Sequence, residues 1–97
     1  MKNILLDEIL AQKTEQIKNW PYEELSSLIG QRKSFEEEHQ KQKFSIEISA
    51  RKDGEGISVV VECSQLKWFF FHCGRQKYFY KDKAGNVKDI KGDGQGL

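Results

Sequence analysis

The chain has 97 residues, of which 37% are hydrophobic, 32% charged and 11% aromatic, and its formal net charge is +1. That is enough for one small domain with a thin margin of burial, and the aromatic content argues against an intrinsically disordered chain. No stretch approaches the apolar run that a membrane span needs, and M-K-N-I-L-L-D-E-I-L lacks the core and cleavage site of a signal peptide, so the expectation is a cytoplasmic protein with a single domain over 1–97.

The charge is unevenly spread: net −3 over residues 1–63 and net +4 over residues 64–97. Two cysteines, Cys63 and Cys73, form no C-x-x-C and are expected as free thiols.

Residues 3–18 predict an amphipathic helix capped by Asn3. Leu5, Leu6, Ile9, Leu10, Lys13 and Ile17 lie on or near one stripe, with Lys13 laid along it by its aliphatic stem. Pro21 ends this helix and is expected at the first position of a second one, whose apolar side is Leu25, Leu28 and Ile29 and whose stop is Gly30. Residues 31–42 support two readings. Ser34 and Glu37 fit a capping box for a helical turn, while an edge strand fits as well. Glu36, Glu37, Glu38 and His39 contain metal-ligating types. Consecutive residues cannot all face one ion, so no metal is expected.

From Lys43 the period switches to two. Phe44, Ile46, Ile48 and Ala50 fall on one face of a strand, with Ser45, Glu47 and Ser49 on the other. Asp53-Gly54 predicts a two-residue hairpin. With those residues at its tip, Ile48 opposes Val59, Ile46 opposes Val61 and Phe44 opposes Cys63. A second hairpin at Gln65-Leu66 would place Val61 against Phe70, Val59 against His72 and Cys63 against Trp68. A third at Gly74-Arg75 would place Phe70 against Phe79. Cys63 and Cys73 would then lie roughly 15 Å apart at strand rise. A last turn at D-K-A-G-N places Gly85 in the left-handed conformation, and residues 91–97 read as a flexible tail.

These pieces predict an α+β fold: two N-terminal helices (3–30) on one face of a four- to five-stranded antiparallel β-meander (43–90). The expected inner face is Phe44, Ile46, Ile48, Val59, Val61, Trp68, Phe70 and Phe79. The outer face is polar on the first two strands, Val60 excepted. It then becomes an aromatic platform of Phe69, Phe71, Tyr78 and Tyr80, flanked by Arg75, Lys77, Lys81 and Lys88.

Apolar patches seldom stay open on soluble monomers. The platform is therefore expected to be covered by residues 31–42 or the tail, or to meet a protein partner or a second copy in a homodimer. Protein contact is the favoured reading, because Tyr and Phe populate interface cores. Single-stranded nucleic acid is the alternative, through base stacking and phosphate contacts. No enzyme and no cofactor are expected. His72 and Cys73 are adjacent and point apart on a strand, which is wrong for a nucleophile and its base. The glycine runs lack the strand–loop–helix setting of a phosphate loop.

P-Y-E-E-L at 21–25, W-F-F-F at 68–71 and F-Y-K-D-K-A-G-N-V at 79–87 resemble, in this order, a scattered group of small uncharacterised bacterial proteins. That resemblance implies a helical start before an antiparallel meander and tips 31–42 towards an edge strand. It carries over no binding or catalytic residue.

Overall fold

The computed structural model describes residues 4–67 and 71–90, with the side chains of 5–65 and 74–90. Helix α1 spans Ile4–Lys18 and α2 spans Tyr22–Ser26. Five strands follow: β1 (Arg32–His39), β2 (Gln42–Asp53), β3 (Gly56–Lys67), β4 (Phe71–Asp82) and β5 (Val87–Ile90). They form one antiparallel meander in the order β1-β2-β3-β4-β5. The fold is α+β, with α1 packed on β3 and β4 and α2 on β2 and β3. No described helix is long and apolar enough to cross a membrane.

The buried stripe of α1 is Leu6, Ile9, Leu10, Thr14 and Ile17. These recur at helical spacing, so one face meets the sheet. Thr14 joins it because its Oγ1 donates to the Leu10 carbonyl at 2.6 Å and so leaves no orphan donor. Lys13 is only half-buried. It ion-pairs with Glu37 of β1 and lies over the Phe35 ring. Pro21 sits one place earlier than expected, at the N-cap of α2 with φ −58° and ψ 149°, and its carbonyl accepts from the Leu25 N–H. Gly30 takes φ +81° where the chain leaves for β1.

The core is the inner face of the sheet. Phe44, Ile46, Ile48, Ile57, Val59, Val61, Cys63 and Phe79 all have 0% exposure. Burial pushes the Cys63 thiol up to about 11, and nearby Glu37 adds to the shift, so it is an inert thiol at neutral pH.

Residues 31–42 are resolved in favour of the edge strand, and the capping box does not form. Gln40 and Lys41 turn the chain with φ +52° and +64°, and β1 then pairs with β2 from His39↔Gln42 to Arg32↔Ser49. The tie to β2, reinforced by Lys13–Glu37, outweighs the local helical preference of E-E-E-H-Q-K-Q.

Three expected registers are corrected. In the first hairpin Gly54 carries φ +62° as the first central residue of the turn, so Asp53 pairs with Gly56. Ile48 then opposes Val61 and Ile46 opposes Cys63, two residues from expectation. An even slip keeps every side chain on its predicted face. In the second, Gln65 and Leu66 lie within β3, and pairing runs through Lys67↔Phe71, Cys63↔Arg75 and Val59↔Phe79. The third hairpin does not exist. Gly74 and Arg75 are inside β4, opposite Ser64 and Cys63. Two long strands replace two short hairpins because each stays paired across its whole length. His72 therefore pairs with Leu66, and Cys73 with Gln65, two positions along the ladder from the Cys63↔Arg75 pair instead of far from Cys63. Trp68, Phe69, Phe70, the Asn3 cap and the 91–97 tail lie outside the described residues. The last turn forms as expected. Gly85 has φ +95°, its N–H donates to the Asp82 carbonyl, and the Asp82 carboxylate accepts from the Asn86 N–H at 2.9 Å.

Lys81 fastens the helix to the sheet. It is 7% exposed, and its Nζ donates to the Lys18 carbonyl at 2.8 Å and the Trp20 carbonyl at 2.7 Å. Carbonyls at a helix C-terminus have no intrahelical partner, and a cation there also suits the helix dipole. Lys81→Met is expected to lower unfolding free energy by about 2 kcal/mol in urea titration, because two carbonyls lose their donor. Glu37 makes a second prediction. Burial pushes its carboxyl up, but the hydrogen bonds from Lys13 and His39 outweigh burial and hold it below its ordinary value. A depressed folded value stabilises the protein above the unfolded value of about 4.3, and this is lost as pH falls through the folded value. Glu37→Gln is expected to flatten the stability profile in that acidic window while the profile near neutral pH keeps its shape, as read by melting temperature across pH.

Candidate interaction surface

Ladder pairing builds the surface on the face opposite the helices. Two cross-strand rows run over β2–β5: Ser49, Val60, Tyr78 and Ile90 in one, Arg51, Ser58, Tyr80 and Lys88 in the other. Neighbours in such rows touch directly. Ser49, Arg51, Ser58, Val60, Tyr78 and Ile90 line an open depression of about 480 Å³. Val60, Tyr78 and Tyr80 are half-buried, and Ile90 is 38% exposed. No described helix lies on this face, since both pack on the other. Residues 31–42 form the sheet edge and do not fold over it.

Two details hold the tyrosines. The Tyr80 ring lies across Gly56, where an added Cβ would stand 2.4 Å from the ring and 2.7 Å from the Lys81 carbonyl oxygen. Desolvation pushes the Tyr80 hydroxyl up, and Asp53, Asp82 and Glu55 add to it. Tyr78 donates its hydroxyl to Gln76 at 2.6 Å. Ser58 donates to the Asp53 carboxylate at 2.6 Å, which fixes the rim beside the β2–β3 turn.

Of the residues singled out from sequence, Tyr78, Tyr80 and Lys88 come together here. Arg75, Lys77 and Lys81 alternate onto the helix side with Phe79. Arg75 pairs with Asp7 of α1 at 3.2 Å, Lys81 holds the end of α1, and Lys77 is exposed opposite Val61. Phe71 contributes its backbone opposite Lys67, its side chain being outside the described set, as is all of Phe69. Arg51, Ser58 and Ile90 were not singled out. Val60 was visible as the apolar exception on its face. Arg51 became a neighbour only through pairing with Ser58.

The acidic run behaves as alternation demands. Glu37 and His39 share the helix side, with Glu37 Oε1 2.8 Å from His39 Nε2, while Glu36 and Glu38 share the other. Among the described residues no group of three His, Cys, Asp or Glu is placed to hold a metal.

Gly56→Ala is expected to displace Tyr80 or shift the β3–β4 backbone, at about 1–3 kcal/mol of stability. Urea unfolding and the tyrosine ring signals in an NMR spectrum measure both effects. Compared with family models, curated proteins and solved structures, the chain matches none of them.

Proposed function

We infer that the protein acts without catalysis, as a small protein-interaction or regulatory module, through the outer face of β3–β5. One observation supports this above the others. Val60, Tyr78, Tyr80 and Ile90 form a contiguous apolar and aromatic patch on a sheet face that no described helix covers. Tyrosine in such a patch supplies large contact area at small entropic cost and keeps a polar tip for hydrogen bonds. Arg51 and Lys88 stand at the rim, where interfaces keep their charges.

The charge pattern favours a protein over single-stranded nucleic acid. Arg75, Lys77 and Lys81 are on the other face, and the negative charges of Asp53, Asp82 and Glu55 add to desolvation in pushing the Tyr80 hydroxyl up. A strand-binding groove needs cations tracking the phosphates beside its stacking rings.

The double variant Tyr78→Ala, Tyr80→Ala tests the reading. A photo-crosslinker placed at Val60 is expected to capture a protein in cells, and the double variant is expected to weaken that capture at least tenfold, as loss of a central aromatic pair does. The same crosslinker at Glu23, exposed on α2 on the opposite side of the sheet, serves as the control and is expected to leave the partner unlabelled. Tight binding of single-stranded RNA that weakens steeply with salt would instead move the function to nucleic acid.

A further inference from the structure

Strand β1 lies at an edge of the sheet and, among the described residues, is paired with β2 alone. Its other side presents unpaired backbone donors and acceptors. Charges on an edge strand commonly serve only to prevent pairing. Here they are sorted by sign. Arg32 and Lys33 stand at one end, Glu36, Glu37 and Glu38 at the other, and Phe35 lies near the middle. A strand sorted in this way is complementary to its own reverse.

The hairpin decides which backbone groups are free. In a two-residue loop the flanking residues, here His39 and Gln42, form a hydrogen-bonded pair. Counting back in twos, Glu37, Phe35 and Lys33 also direct their backbone groups to β2. Glu38, Glu36, Ser34 and Arg32 direct theirs to the open edge.

We propose that β1 pairs antiparallel with β1 of a second copy, joining two five-stranded sheets into one continuous sheet. A two-fold axis normal to the sheet keeps both sets of helices on one side, so residues of like parity face each other. The register centred on Phe35 aligns residues 32–38 of both copies. Arg32 then meets Glu38, Lys33 meets Glu37, Ser34 meets Glu36, and the two Phe35 rings meet at the axis. Centring one residue later sets Glu36 against Glu36, and centring one residue earlier leaves Glu37 and Glu38 unmatched. Phe35 is already half-buried against the core and under Lys13, so its ring is positioned to pack across the axis. Both outer faces look to the same side, with the two tyrosine patches roughly 30–35 Å apart at strand spacing. The pairing is independent of whether the outer face takes a partner.

Sedimentation across a concentration series tests it, on variants confirmed to melt cooperatively. The wild-type mass is expected to rise from 11.3 kDa towards twice that value, because so small an interface dissociates on dilution. Arg32→Glu and Glu38→Arg each set like charges together at two symmetry-related contacts, and each is expected to weaken the dimer about tenfold. The double swap Arg32→Glu, Glu38→Arg restores opposite charges and is expected to recover the wild-type constant. A monomer at every concentration up to about 1 mM overturns the pairing. So does a dimer indifferent to both single swaps. A dimer lost in Tyr78→Ala, Tyr80→Ala but kept in the swaps assigns the self-contact to the outer face and overturns the edge pairing while leaving the outer-face reading intact.

Discussion

Alternation along β3 is the constraint on which the rest depends. Ile57, Val59, Val61 and Cys63 are all at 0% exposure beneath the helices. Once those residues face inward, ladder pairing sets the direction of the side chains of β2 and β4 beside them, and through those strands the directions on β1 and β5. Phe44, Ile46 and Ile48 must point to the core, and so must Phe79. Val60 must point away from it, carrying Tyr78 and Ile90 alongside. The outer patch is therefore a consequence of the same register that builds the core, and a one-residue slip would destroy both together.

The helices are held on by more than apolar contact. Lys81 shares its parity with Phe79 and spends its charge on the end of α1. Arg75, further along the same strand, pairs with Asp7 near the start of that helix. Lys18 reaches Asp89 of β5 at 2.5 Å. The basic character of the C-terminal third thus serves in part to anchor an acidic-leaning helix. Exposed pairs such as Arg75–Asp7 add little individually, whereas the buried Lys81 leaves two carbonyls unsatisfied if removed.

What was legible in the sequence was local. The stripe of α1, the clean alternation of Phe44 to Ala50 and the Gly85 turn all depend on neighbours within a few residues, and all are seen. The length of β3 and β4 was not, because Gly74-Arg75 carries a turn signal that only non-local pairing with Ser64 and Cys63 overrides. Phe79, Tyr78 and Tyr80 nevertheless fall on the expected faces. The sequence route reached Phe79 through two hairpins, and the parity change in one offset that in the other. The rim was a different kind of miss. Arg75, Lys77 and Lys81 share the parity of Phe79, so their direction was readable, but proximity along the chain stood in for it. Arg51 needed the register itself.

The two open surfaces have different physical characters, and this bears on how one small chain divides its work. Interfaces built on an apolar face draw their strength from area removed from water and tolerate many shapes of partner. Interfaces built on a strand edge draw it from directional backbone bonds, and their selectivity comes from which side chains align. Among the described residues Val60, Tyr78, Tyr80 and Ile90 stand together on the outer face of β3–β5, while the sorted charges are concentrated on β1, at an edge of the sheet. A partner seated on Tyr78 and Ile90 leaves β1 free, because β2 and β3 lie between them. The two surfaces share no residue but adjoin at one place, since Arg32 of β1 pairs with Ser49 of β2, which lines the depression.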